Sequence, residues 1–341
     1  TTAINPRRCS YPCFFGRRSH RRRFRGLATF SKSRNTSAFF GTGISYPSGV
    51  RCVGSSCWFG SIGSTVMTLP SLAGVVERMD RAYQHLIEFD DLCGTYFDSG
   101  PYVPRLEHHA QTNRIFVVHR VTQPFPLRGS VVLGEAIQNA RIALDYLAWQ
   151  LVLLEGRTPS VIHPRTQFPV HSKLPKSSNG ALRLPDVPPG LSHGLRNLLD
   201  AVQPYHRGNR ADKHPLSVLN ALANTDKHHV LNVTTGLLRS AQSFLVDPLG
   251  TRWGGDIRGG AVRHDEVIQV FQLPPGMGLP PNWREWGIEG KGEAFVAFEQ
   301  PGPWSRVEAA SVVVERCLDW VSNIVVAWFR PFFPPDGGPN S

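Results

Sequence analysis

Apolar residues recur every three or four positions through "LAGVVERMDRAYQHLIEFDDL", at Val75, Met79, Tyr83, Leu86 and Phe89. This spacing predicts an amphipathic helix from Leu72 that ends before Gly94. A second stripe, Leu133, Ile137, Ala140, Leu144, Leu147, Leu151 and Leu154, predicts a helix from Val132 to Gly156, where the glycine supplies a stop. "SHGLRNLLDAVQPY" reads as a short helix halted by Pro204. Pro215 opens another at its first turn, where helices tolerate proline, with Leu216, Leu219, Leu222 and Ala223 on the inner face.

Beyond His228 the pattern changes from helical to alternating. "HVLNVTTGLL", "QSFLVD", "DEVIQVFQL" and "GEAFVAFEQ" are β-branched or alternating runs separated by Gly and Pro, as in an antiparallel sheet. Earlier, "RIFVVHRVTQ" also reads as a strand, whereas "LEHHAQTN" before it and the late "GMGLPPNWREWG" read as loops. Thr158 to Gly190, rich in Pro, Ser and Gly, is expected to run over the surface. The chain closes with an amphipathic helix from Val307 to Phe329. Glu308, Glu315, Arg316 and Asp319 interrupt its apolar run, which points to burial against the protein and not to a membrane span. Helices, then strands, then a terminal helix make an α+β fold, with the helical N-terminal half packed on an antiparallel sheet.

The 341 residues carry a formal net charge of +11, which alone suggests an anionic partner such as nucleic acid. Residues 1–66, however, hold eleven Lys or Arg and no acid, while the rest of the chain is balanced at 26 basic and 26 acidic residues. The excess therefore belongs to a leader with no hydrophobic periodicity that runs up to Met67, the first methionine. Sequence translated upstream of the true start, an organellar transit peptide, and a disordered basic arm for nucleic acid all fit that leader. Each places it outside the folded domain, read as a single unit over 67–330 with a disordered tail over 331–341. Only Cys93 and Cys317 lie beyond the leader, so the body has neither a disulfide framework nor cysteine metal spacing. With no secretory signal either, the body reads as a soluble cytoplasmic protein.

Two polar constellations sit on the helices. Arg141 and Asp145 lie four apart beside the apolar stripe, one turn before Trp149, so at least one should be partly buried and need a partner from another element. In "LNALANTDKHHV", Asn220, Asn224, Lys227 and His228 share one band of the helix, whereas Asp226 continues the apolar line through Leu219 and Ala223. Asp226 is therefore expected to point inward, toward the face of Arg141 and Asp145. His228 is the candidate acid or base, with Lys227 and Asn224 beside it; a cap on the free carbonyls of the helix end is the structural alternative. His206, His214, His228 and His229 have irregular spacing, no HExxH is present, and neither metal nor cofactor is expected. A nucleophile elbow, P-loop, dinucleotide fingerprint and CxxC pair are all missing from the sequence.

"LGEAIQNARIALDYLAWQL", the Phe168–Pro169 pair, "LLDAVQPYHRG" and "HPLSVLNALANTDKHH", in that order, resemble an uncharacterised bacterial family frequent in actinobacteria. Its pattern is NxRxALDxLxWQL followed by LQPY and LxxLxNxDKHR, and the resemblance spans Met67 to about Arg330. It departs at His229, where the family pattern has Arg, so an anion-binding role there is not carried over. No activity comes with the family. A more distant resemblance is to HEPN-type helical domains, many of them RNA-cleaving toxins or defence factors. Their hallmark is Arg, a polar residue, then His on a helix. Here Arg114 to His119 has that spacing, but in a strand-like run without the polar residue, so Asn224, Asp226, Lys227 and His228 would have to stand in. The expected role is binding of a small ligand or partner in a polar pocket formed by Asn139, Arg141, Asp145, Trp149, Tyr205, Asp226, Lys227 and His228. The alternative is a metal-independent ribonuclease with RNA as substrate and Lys227 steadying phosphate charge.

Overall fold

The computed structural model describes residues 69–157, 166–174, 187–229 and most of 231–334. The leader over 1–66 and residues 335–341 lie outside the described residues. Helix α1 (Ala73–Asp98) runs past Gly94 because Tyr96 and Phe97 extend its buried face. Helix α2 (Leu127–Leu154) begins before the expected start and ends where Gly156 takes φ 74° and donates to the Leu153 carbonyl at 2.9 Å. Positive φ is costly for other residues, so this stop depends on glycine. After α3 (His193–Ala201) comes a 3₁₀ segment, Pro204–Lys213, where a turn-rich link was expected, and then α4 (Pro215–His228). Helix α5 (Ala310–Trp320) continues through a π-helical turn, Val321–Val326, to a final turn at Ala327–Phe329. Arg330–Phe332 add a 3₁₀ turn and Phe333 is buried, so the start of the expected tail belongs to the fold.

Helix α2 is the central element, packed by α1, α4 and α5. Leu144, Leu147 and Leu151 are buried there together with Phe89, Leu219, Leu222, Val314 and Leu318. Each such side chain contributes about 1.5–3 kcal/mol on leaving water. Among the described residues no helix is long and apolar enough to cross a membrane.

Among the described residues the strands form two antiparallel sheets. In the larger, the order is β1 (Tyr102–His109), β2 (Arg114–Val121), β7 (Glu266–Gln272), β5 (Arg252–Ile257), β4 (Ser243–Val246) and β8 (Gly287–Gly290). In the smaller, β3 (Val233–Leu237) lies between β6 (Gly260–Ala261) and β9 (Ala294–Phe298). The expected loop at "LEHH" is instead the end of β1, paired Tyr102 to Val121 through His109 to Arg114. It is an edge strand whose burial alternates about Leu106, but Pro104 and His108 stand on the more buried side and Val103 on the exposed one, so the sequence hides the alternation. The small sheet lends Val296 and Phe298 to the helical core. The large sheet encloses a second core of Ile115, Val117, Phe271, Leu273, Trp283 and Trp286. The result is an α+β fold with helices on a curled antiparallel sheet and a C-terminal helix.

Candidate functional site

Helices α2 and α4 pack side by side, and Gly134 of α2 lies under the Asp226 carboxylate of α4. A Cβ there would overlap the Asp226 carboxylate, so the glycine is retained inside a helix, at a cost in propensity, to admit that group. Asp226 is half-buried, as its helical phase implies, but its partner is not the Arg141 and Asp145 face. Gln138 Nε2 donates to Asp226 Oδ2 at 3.0 Å and to the Ala223 carbonyl at 2.9 Å. A tether between the two helices therefore forms at Gln138, one turn before Arg141.

Arg141 is 8% exposed and serves a different element. Its Nη2 donates to the Phe168 carbonyl at 2.9 Å and lies 3.0 Å from Asp145 Oδ1, which accepts from the Phe168 N–H at 3.0 Å. Phe168, expected on a surface loop, is buried in the helical core. The ion pair holds its backbone by both polar groups, which lets an extended segment enter an apolar interior with its peptide groups paired. Gln203 continues this stitching: its Nε2 donates to the Pro169 carbonyl and its Oε1 accepts from the His171 N–H.

Burial pushes the Asp145 carboxyl above its ordinary value, outweighing Arg141, the Phe168 amide and the more distant Lys227. Burial likewise pulls the Arg141 guanidinium down, against the pull of Asp145. Half of the pair is unused. Among the described residues, Arg141 Nη1 and the Thr166 hydroxyl are buried without a hydrogen-bond partner, and Asp145 Oδ2 accepts no hydrogen bond.

The remaining residues of the expected network fall into separate groups. Asn139 accepts from Arg78 of α1 at 3.0 Å and donates to the Glu135 carbonyl, on the side of α2 that faces α1. Trp149 is half-buried against the helical core. The Tyr205 hydroxyl donates to Asp200, which also holds His206 at 3.1 Å, and burial with Asp200 raises the phenol above its ordinary value. His214 caps α4 by accepting from the Leu216 N–H at 3.2 Å. Asn224, Lys227 and His228 are exposed, and the His228 side chain makes no hydrogen bond among the described residues. Among the described residues no three His, Cys, Asp or Glu are grouped to hold a metal ion. Sequence reasoning missed Gln138, Thr166, Gln203 and Asp200. Gly134, a glycine inside a strong helix pattern, was the available signal for a close approach at this seam.

The chain matches no protein-family model, no curated protein and no solved structure.

Proposed function

We propose that the protein is a bacterial, cytoplasmic binding protein that takes a small polar ligand beside α2, where Arg141 and Asp145 meet the Phe168 segment and Lys227 stands at the rim. The observation that carries this reading is the half-used ion pair: a buried guanidinium nitrogen without an acceptor, next to a partly open carboxylate with a free oxygen. Buried polar atoms are almost always paired, so an enclosed donor without a partner, beside a partly open carboxylate, supports a polar guest at this place. The free thiols of Cys93 and Cys317 are in keeping with a reducing compartment.

The ribonuclease alternative asks more of His228 than its surroundings provide. A general base needs a partner that orients it and fixes its tautomer, and the exposed end of α4 supplies none among the described residues. Native mass spectrometry of the protein purified from its own cells tests the two readings. The expected outcome is a copurifying small molecule that is lost in Asp145→Asn, with no cleavage of added RNA. RNA cleavage by the wild type that disappears in His228→Ala would establish the ribonuclease instead. A bare protein with no cleavage would defeat both.

A further inference from the structure

Helix α5 and the turns after it bury Val314, Leu318, Val325 and Phe329 in the helical core. Their outer face carries a second apolar line. Val312 is 46% exposed, Trp328 44% and Phe332 46%, with the half-buried Trp320 and Ile324 between Val312 and Trp328. The i→i+5 bonding of Val321–Val326 widens the helix there, so Trp320, Ile324 and Trp328, each four apart, stay nearer one line than 3.6 residues per turn would hold them. Along the first half of this face lies a groove of about 470 Å³, bordered by Val312, Glu315, Arg316, Asp319, Trp320 and Ile324, with room for an aromatic ring. A lone exposed apolar residue is ordinary, but exposed aromatic rings in line with a groove on one helix face have the composition of an interface.

Charge on this face is unevenly spread. Glu308, Glu315 and Asp319 border the groove, whereas Arg330 stands at the far end beside Trp328 and Phe332. Arg316 is engaged by Glu308 at 2.7 Å and Asp319 accepts from the Tyr83 hydroxyl at 2.9 Å. Among the described residues Glu315 and Arg330 make no ion pair.

We infer that this face pairs with the same face of a second copy of the chain, the two helices antiparallel about a two-fold axis beside Asn323. In that register Arg330 of each copy stands opposite the turn that carries Glu315 and Asp319 in the other, and Trp328 and Phe332 lie over the other copy's groove. Parallel pairing would set the two acidic halves against each other, so the charges select the antiparallel arrangement. A two-fold contact of this kind is self-complementary and closes at two copies. Ala310 to Phe332 spans about 35 Å at 1.5 Å per residue. A face of that length and one helix wide buries less than the roughly 1,600 Å² of a standard interface, so micromolar affinity is expected.

Sedimentation equilibrium of the full chain, from micromolar to millimolar concentration, tests this pairing. A reversible monomer–dimer equilibrium is expected. Trp328→Asp should weaken it at least about tenfold, because a central aromatic anchor is replaced by a charge. Glu315→Arg and Arg330→Glu should each weaken the dimer too. Combined in one chain, or mixed in equal amounts as two singly substituted chains, they should restore it, since opposite charges then face each other again. These side chains are exposed in the single chain, so Tm should hold; if Trp328→Asp unfolds, the charge exchange decides alone. A chain that stays monomeric throughout, including one whose free face captures a different protein or a vesicle, overturns the inference. So does a dimer indifferent to Trp328→Asp, or one that both charge reversals weaken and their combination does not restore.

Discussion

At the scale of single residues, the sharpest sign reversal is at Gly134. In an exposed helix, replacing glycine by alanine gains up to about 1 kcal/mol. Here the added methyl meets the Asp226 carboxylate, and α4 must move or the Gln138 tether must break. Gly134→Ala should therefore lose about 1–3 kcal/mol, the usual range for overpacking. In an Asp226→Ala background the same change should be neutral or stabilising. Denaturant midpoints for the four proteins of this cycle check the claim; a Gly134→Ala penalty that persists without the carboxylate would place the clash elsewhere.

At the scale of elements, α4 is held at its start by a histidine. His214 is 5% exposed, and burial, with Arg207 nearby, brings its imidazole from the ordinary 6.5 down to about 4. Between those values the unfolded chain binds more protons than the folded one, so stability is full above about pH 6.5 and falls as the pH drops toward about 4. The loss should reach about 3 kcal/mol over that window. His214→Asn, which keeps an acceptor for the Leu216 N–H but does not titrate, should flatten the dependence of Tm on pH; an unchanged slope would assign it to other groups. This helix was legible in the sequence, since Pro215 and the Leu216, Leu219, Leu222 stripe announce its start and its buried face. Strand β1 was not, because its more buried side carries Pro104 and His108 while the apolar Val103 lies on the exposed side, which hides the alternation. The site was legible in part. Helical phase turned Asp226 inward, but phase does not choose which turn of α2 it meets, and nothing local marks Phe168 as core, since only the distant Arg141 and Asp145 make its burial tolerable.

At the scale of the whole molecule, the two hydrophobic clusters divide the work of stability. The helical core gathers on α2, while the large sheet closes over Phe271, whose ring lies where a Cβ on Gly255 would go. Phe271→Ala should speed hydrogen exchange in β2, β5 and β7 and leave the α2 amides nearly untouched, whereas Leu147→Ala should lower protection everywhere. Equal loss of protection in both regions after Phe271→Ala would mean a single cooperative unit. The pairing of β2 with β7 also has a consequence for biogenesis. Arg114 and Gln272 are paired across 158 positions of sequence. At about 5–20 residues per second, the β1–β2 hairpin leaves the ribosome roughly eight to thirty seconds before its neighbour. For that interval the nascent chain carries an open strand edge with the apolar Ile115 and Val117 uncovered, which exposes this hairpin to wrong pairing and to chaperone capture during synthesis.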